Sequence, residues 1–271
     1  MTTGPVTGAE DVPRDRALSD ADTAELIDDV DALGGFFSLS TTLPDTPDLY
    51  SFARLYATPA LVDARIETVR RRHEPAEARV AASIMFLGLA ARLVSPALAA
   101  ACRGALVELP ATSLYRCGSQ TGPERLHLAE ARATVLDPSD PATAAAGLRR
   151  TVVEEHLRPL VAAVRGRVRV AERLLWGNAA SAVGGAVWML SRRWPRQADT
   201  AEAIADALIG SGPMAGLGTV EHPFPARPER FFARRSCCLF YRAPRGDMCG
   251  DCSLLDRAEL AARWRAELAA S

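Results

Sequence analysis

Four of the chain's six cysteines lie within one short stretch near the C-terminus, SCCLFYRAPRGDMCGDC, which covers residues 236–252. Cys237 and Cys238 are adjacent, ten residues separate this pair from Cys249, and two more residues precede Cys252. Chance clustering of this density is improbable in a chain with only two other cysteines. The spacing constrains the fold, because it predicts four thiols that are buried together or that act as ligands or redox groups.

The composition of the whole chain limits the class of protein. Its 271 residues are 48% hydrophobic and 24% charged, which is enough apolar content for a substantial buried core. The net charge is -1 and the pI is near 6.5. The basic excess of a typical nucleic-acid-binding protein is therefore missing, and we expect no nucleic-acid partner.

Two features of the sequence bear on where the protein is found. The N-terminus lacks a basic start followed by an apolar core, so we expect no secretory signal. The longest apolar run, residues 80–91, stops at Arg92 and is shorter than the about 20 residues that cross a bilayer, so we expect no membrane span. We therefore predict a cytoplasmic protein, and in that compartment clustered cysteines are more often metal ligands or redox groups than disulfides.

Apolar residues at helical spacing recur along most of the chain. They predict a mainly α protein with a small antiparallel β-sheet, an α+β fold. A helix is expected to end before Pro96, and Pro159 marks a kink or boundary near His156. Short aliphatic segments between residues 106 and 135 predict the sheet, and residues 38–52 predict a loop. The predicted helices cover residues 20–33, 60–73, 75–94, 140–167, 170–194, 198–211 and 253–270.

The composition also divides the chain into three parts. Residues 1–18 are polar and without periodicity, which predicts a flexible tail. Residues 19–221 form a mainly helical domain. From Glu221 onward prolines and arginines become frequent, which predicts a linker into a C-terminal module over residues 222–271. A module of this size has a small core and usually needs a staple such as a metal.

Three uses of the four cysteines compete. The simplest is burial in the core, since free cysteine is among the most buried residue types. The second is structural zinc, for which Cys249 and Cys252 have knuckle spacing. The adjacent pair, however, points to opposite sides of an extended segment, and fourteen residues separate His222, which could replace one cysteine, from Cys237. The third is a 2Fe–2S cluster, whose two irons take two thiolates each and fit two separated pairs more comfortably.

The pattern C-C-x10-C-x2-C resembles the cluster motif of FhuF-type ferric siderophore reductases. Cys237, Cys238, Cys249 and Cys252 fall on all four of the family's ligand positions. A weaker likeness lies upstream, where LLWGNAASAVGGA (174–186) resembles a helical stretch of the same family. The resemblance implies a C-terminal iron–sulfur module in which these four cysteines are the metal ligands of a 2Fe–2S cluster.

The resemblance also implies a function. A cluster of this kind would pass one electron to Fe(III) in a siderophore, typically of the hydroxamate type, and release Fe(II) in the cytoplasm. Residues 19–221 would then be the substrate-binding domain. The segment GPMAGLG (212–218) is not a dinucleotide motif, so we expect an external electron donor, a ferredoxin or flavin reductase. The alternatives are a 2Fe–2S electron carrier or redox sensor without a siderophore pocket, and a zinc-stapled binding protein.

Several other side chains are candidates for roles near the cysteines. Trp176 and Asn178 fit either a chelate pocket or core packing with a helix cap, and the second is the commoner use. His156 is expected to be structural. Positive charge beside a cluster favours the reduced state and should raise its potential. The basic residues that flank the cysteines are Arg234, Arg235, Arg242 and Arg245.

Overall fold

The structure is a computed structural model that describes residues 17–74, 77–117, 124–137, 139–244 and 246–270. Within these ranges the chain has the predicted α+β fold, dominated by helices. Most of the predicted tail lies outside the described residues, but Leu18 donates its backbone N–H to Ala133 O at 2.9 Å. The helices are α1 (Asp20–Asp31), α2 (Phe52–Ala57), α3 (Pro59–His73), α4 (Ala78–Cys102), α5 (Pro141–Leu148), α6 (Arg158–Arg165), α7 (Glu172–Arg193), α8 (Ala198–Ile209) and α9 (Arg257–Ala269).

The strands are short and form three small sheets among the described residues. One sheet has the order β1-β5-β4-β2, β3 pairs with β6, and β7 pairs with β8. The strands are β1 (Leu39–Ser40), β2 (Leu49–Ser51), β3 (Ala105–Val107), β4 (Leu114–Cys117), β5 (Leu126–Leu128), β6 (Ala133–Val135), β7 (Gly218–Glu221) and β8 (Phe231–Arg234).

The sheet prediction needs two corrections. The strands expected between residues 106 and 135 are present, but they are divided between two sheets, and the larger sheet is mixed because β1 runs parallel to β5. The loop expected at residues 38–52 contributes β1 and β2 to that sheet. Strands of two or three residues are too short to show a period-two pattern, so only their partners reveal them.

Helix α4 lies at the centre of the fold and packs against α7. The prediction that it ends before Pro96 is wrong, because the helix continues to Cys102 with the proline inside it. A proline inside a helix costs about 3 kcal/mol. Residues 93–102 are all buried, and their burial offsets this cost.

The length and composition of α4 would also allow it to cross a bilayer, and it is the one described helix that meets this test. Its most apolar 18-residue window is 78% buried by the rest of the protein. That burial is the environment of a core helix, which has protein on most sides.

The helical region before Pro159 contains a π-helical segment, Arg149–Leu157, which joins α5 to α6. The predicted boundary near His156 is therefore a change of helix type within a continuous helical region. His156 is fully buried, and its Nε2 lies 2.5 Å from Leu109 O while its Nδ1 lies 2.8 Å from the Tyr56 hydroxyl. Because a carbonyl only accepts, Nε2 donates to Leu109 and Nδ1 accepts from Tyr56.

Burial lowers the pKa of His156 from its usual 6.5 to about 4. As the pH falls from 6.5 towards 4, the unfolded chain binds a proton that the folded chain does not, so stability falls on acidification. We expect this residue to account for about 2 kcal/mol of lost stability between pH 7 and pH 5. Urea unfolding of the holoprotein and of His156→Gln at both pH values measures it. The variant should be less stable at pH 7 but lose less on acidification, and equal losses would contradict the assignment.

The expected linker after Glu221 is instead the turn of a β-hairpin, formed by β7 and β8, that packs against α7. Phe232 of β8 belongs to the main hydrophobic core. The C-terminal helix α9 adds a small separate cluster of Phe231, Leu260 and Trp264. Leu254 is 50% exposed, because it precedes α9 and does not lie on its buried face.

Two glycines of α7 allow this close packing. A Cβ on Gly184 would overlap the side chain of Phe232, and a Cβ on Gly177 would overlap that of Ser236. The two glycines are seven residues apart and therefore share a face of the helix. The stretch 174–186, singled out in the sequence, is thus the surface of α7 against which the cysteine-bearing segment packs.

We expect Gly184→Ala to destabilise the protein by about 1–3 kcal/mol, the usual cost of overpacking a core. Gly185→Ala is the matched control, since no atom lies within 4 Å of its added Cβ, and it should be neutral or slightly stabilising. Thermal unfolding and iron content of both variants test this. The packing argument fails if the two alanines give the same melting temperature.

Candidate metal centre

The cysteine-bearing segment starts where β8 ends, at Arg234, and finishes before α9. Just after the adjacent pair the backbone turns sharply at Leu239, which has a φ of +66°, a conformation that is uncommon for a residue other than glycine. The Leu239 N–H donates to Cys237 Sγ at 3.3 Å. The carbonyl of Cys238 accepts a hydrogen bond of 2.6 Å from Ser83 Oγ on α4. The pair is therefore part of a bent segment attached to the central helix.

Two of the four thiols, one from each sequence pair, lie in contact with each other. Cys238 Sγ and Cys249 Sγ are 3.6 Å apart, so the closest contact joins one member of each sequence pair. Two thiolates on one tetrahedral metal with bonds of about 2.3 Å would lie about 3.8 Å apart. Cys238 and Cys252 are buried, whereas Cys237 and Cys249 are half-buried, and all four are free. The structure therefore brings one thiol of each predicted pair into contact and leaves two of the four partly accessible from solvent.

The pKa values of these thiols show that the sulfurs act on one another. The pKa of Cys238 is lowered because the Cys249 thiol donates a hydrogen bond to it and because Arg234 lies nearby. Burial raises the pKa of Cys237 and outweighs the hydrogen bond from the Leu239 N–H, which lowers it. The charges of Cys238 and Cys252 raise this pKa further. Cys237 therefore lies within range of the charges of Cys238 and Cys252, and Cys238 contacts Cys249.

No preformed site for a single metal ion is found among the described residues. Among the residues that the structure describes, no three His, Cys, Asp or Glu side chains converge closely enough to hold one ion. A tetrahedral zinc site needs four donors around one point, whereas a two-iron centre spreads them over a larger volume. His222, the alternative zinc ligand, donates from Nε2 to Arg227 O at 2.7 Å.

Arg234 is the basic side chain built into the centre. Its guanidinium is fully buried, donates to Asn178 Oδ1 at 2.6 Å and lies 3.9 Å from Asp251 Oδ1. Burial alone would lower the pKa of Arg234. The negative charges of Asp251, Cys238 and Cys249 outweigh this effect and raise it. Two of its nitrogens, Nε and Nη1, have no hydrogen-bond partner within the described ranges.

A chain of hydrogen bonds links this arginine to the two central helices. Asn178 of α7 donates to Ser83 Oγ at 2.9 Å and to Ser83 O at 3.1 Å, and Ser83 in turn donates to Cys238. Asp251 accepts from Ser181 of α7 at 2.5 Å. Asn178 is therefore part of the support of the cysteine segment. Trp176, the other pocket candidate, is buried and donates to Glu172 at 3.1 Å.

The other three arginines predicted to flank the cysteines are not built into the centre in the way that Arg234 is. Arg235 is exposed, Arg242 pairs with Glu77 at 2.6 Å, and Arg245 lies outside the described residues. Ser83 and Asp251 were not predicted. A signal was present in both cases, since Ser83 is a polar residue within the apolar run 80–91 and Asp251 lies between the last two cysteines.

One comparison with known proteins identifies this segment. Residues 234–254 match a family model, the FhuF 2Fe-2S C-terminal domain. The match starts at Arg234 and includes all four cysteines, so the predicted resemblance is confirmed for this segment, and the domain indicates the predicted 2Fe–2S cluster as the cofactor. It covers a small part of the chain. No curated protein matches the sequence.

The described side chains fit such a cofactor. Arg234 Nε, Arg234 Nη1 and Ser236 Oγ are buried polar atoms without a hydrogen-bond partner, and all three belong to the matched segment. Sulfur atoms of a cluster accept hydrogen bonds, and such bonds tune its potential. The orphaned donors are therefore groups that a sulfur-rich anionic cofactor would satisfy.

We expect Arg234→Gln to lower the reduction potential, because the positive charge favours the more negative reduced form. A unit charge about 8 Å away is worth about 2 kcal/mol at an effective dielectric of 20, or roughly 90 mV for one electron. A spectroelectrochemical titration of the holoprotein measures the change. Arg235→Gln is the matched control, since its exposed charge is screened by salt and should have little effect at 0.15 M. Equal shifts of the reduction potential in both variants would show that burial of Arg234 does not strengthen its effect on the cluster.

Proposed function

We propose that the protein is a cytoplasmic ferric siderophore reductase, in which Cys237, Cys238, Cys249 and Cys252 bind the 2Fe–2S cluster. The observation that carries this proposal is the matched 2Fe–2S domain, which contains the four cysteines and the buried Arg234. The matched domain by itself supports a siderophore reductase-type protein.

When bound, the cluster supplies one electron at a time. The chain contributes the thiolates and a buried positive charge at Arg234, which favours their deprotonated form. Transfer of one electron to the chelate turns Fe(III) into Fe(II). Hard oxygen donors hold ferrous iron less strongly, so the iron is released without an acid, a base or a nucleophile.

An external protein, a ferredoxin or a flavin reductase, is the proposed electron donor. The glycine-containing segment 212–218 supports this view, because a short 3-10 turn at Gly212–Met214 opens it and strand β7 follows it. A dinucleotide-binding loop instead lies between a strand and a helix. That the substrate is a siderophore of the hydroxamate type remains a prediction, which the family resemblance implies.

Anaerobic reoxidation of the cluster tests the proposed function. The holoprotein is reduced with dithionite, checked by electron paramagnetic resonance, and mixed with ferric siderophores while the visible spectrum is followed. We expect the oxidised spectrum to return in step with formation of Fe(II), trapped by a ferrous chelator. If no ferric siderophore reoxidises the cluster, the protein is an electron carrier or redox sensor.

The ligand assignment is tested by iron, sulfide and zinc analysis of two variants. Cys252→Ser should lose most of the cluster, because one thiolate of the set is gone. Cys102→Ala is the control, since Cys102 is a buried thiol at the end of α4 and far from the set in sequence. A colourless wild-type protein with one zinc per chain would instead support the zinc-stapled alternative.

A further inference from the structure

A large cavity lies between α3 and α4, and no residue of the cysteine-bearing segment lines it. Its volume is about 830 Å³, within the range of small-molecule sites. One wall is the face of α4 that carries Met85, Gly88 and Arg92, and the opposite wall is the end of α3 with Arg72 and His73.

The described lining of this cavity carries an excess of positive charge. It contains four arginines and one carboxylate, Glu124. The carboxylate forms ion pairs with three of them at once, at 3.4 Å from both Arg65 and Arg92 and in closer contact with Arg116. Burial alone would raise the pKa of Glu124, but these guanidinium groups outweigh it and lower the pKa. One carboxylate therefore compensates only part of the positive charge.

These arginines are held inside the protein rather than on its surface. The side chain of Arg116 is fully buried, and those of Arg65 and Arg92 are 16% and 19% exposed. The Nε atoms of Arg65 and Arg116 are buried without a hydrogen-bond partner, whereas the Nε of Arg92 makes the ion pair with Glu124. Buried positive charge of this kind is costly unless an anion compensates it. The cavity is therefore built to receive an anionic group.

The cavity begins beside the cysteine-bearing segment. Ile84 and Met85 line it, and the preceding residue, Ser83, donates to the carbonyl of Cys238. On the facing wall His73 packs edge-on against Phe240, with ring centroids 5.9 Å apart. Arg92 lies nine residues beyond Ser83, about 13 Å along the helix. An occupant can therefore have one end near the candidate metal centre and its anionic end at the arginines.

We infer that the cavity binds a ferric chelate that carries a free anionic group, such as an uncoordinated carboxylate, and that Arg65, Arg72 and Arg92 select it over a neutral chelate. This inference rests on the proposed function and names its substrate class. It is compatible with hydroxamate donors to the iron when the chelate backbone also carries carboxylates. A neutral trihydroxamate chelate lacks the group that the arginines would bind.

Gallium(III) chelates test the inference without electron transfer, because Ga(III) is not reduced under these conditions. The probes are a citrate-based dihydroxamate complex, which is anionic, and a cyclic trihydroxamate complex, which is neutral. We expect the anionic complex to bind the oxidised holoprotein at least tenfold more tightly by isothermal titration calorimetry. Added salt should weaken this binding.

Three variants locate the site. Arg72→Gln and Arg92→Gln should each weaken binding of the anionic complex by about tenfold, the effect of losing one charged hydrogen bond. Arg71→Gln is the matched control, since it removes the same charge from an exposed position of α3 that does not line the cavity. Arg72 is itself exposed at the rim, so its substitution should leave the melting temperature unchanged.

The outcomes separate this inference from the proposed function. Equal affinity for the two gallium complexes, or equal loss in all three variants, overturns the inference even if ferric chelates reoxidise the cluster. Tight, arginine-dependent binding of the anionic complex supports it. If the matching ferric complex then fails to reoxidise the reduced protein, this result contradicts the proposed function but not the inference that the cavity selects anions.

Discussion

A buried positive charge, the guanidinium of Arg234, is the constraint around which the C-terminal part of the protein is arranged. Asn178 and Asp251 compensate it in part, but two of its nitrogens have no hydrogen-bond partner within the described residues. A charge left in that state is expensive to bury. Of the neighbouring thiols, Cys238 ionises more readily than usual, because the hydrogen bond from Cys249 and the charge of Arg234 lower its pKa. Arg234 and the Cys238 thiolate therefore stabilise one another, and a sulfur-rich anionic cofactor extends the same compensation.

The support of this centre comes from the main core rather than from the small C-terminal cluster. Ser83 and Asn178 hold the cysteine segment from α4 and α7, and Gly184 lets strand β8 approach α7 closely. A metal staple is needed where a core is too small to fix the chain. Here hydrogen bonds and packing to the largest helices already fix the strand that leads into the cysteines. This favours a redox role for the cofactor over a purely structural one.

The sequence predicted those parts of the protein that depend on local patterns. Helical spacing located α1, α3 and α7 closely, because apolar periodicity and caps act within a few turns. The cysteine spacing, which is specific, located the domain at residues 234–254. Features that depend on distant partners could not be found in this way. Strand β1 exists because β5 lies beside it, and α4 continues through its proline because the rest of the core buries it.

The cavity could not be predicted from local sequence patterns either. Three arginines from separate segments pair with one carboxylate there, namely Arg65, Arg92 and Arg116. Its charge also bears on how the proposed reaction would end. A positive cavity attracts the anionic chelate but repels a free Fe(II) cation. Once an electron has weakened the hold of the oxygen donors, the arginines retain the organic ligand while the ferrous ion is favoured to leave. The charge that selects the substrate would thus also assist release of the metal.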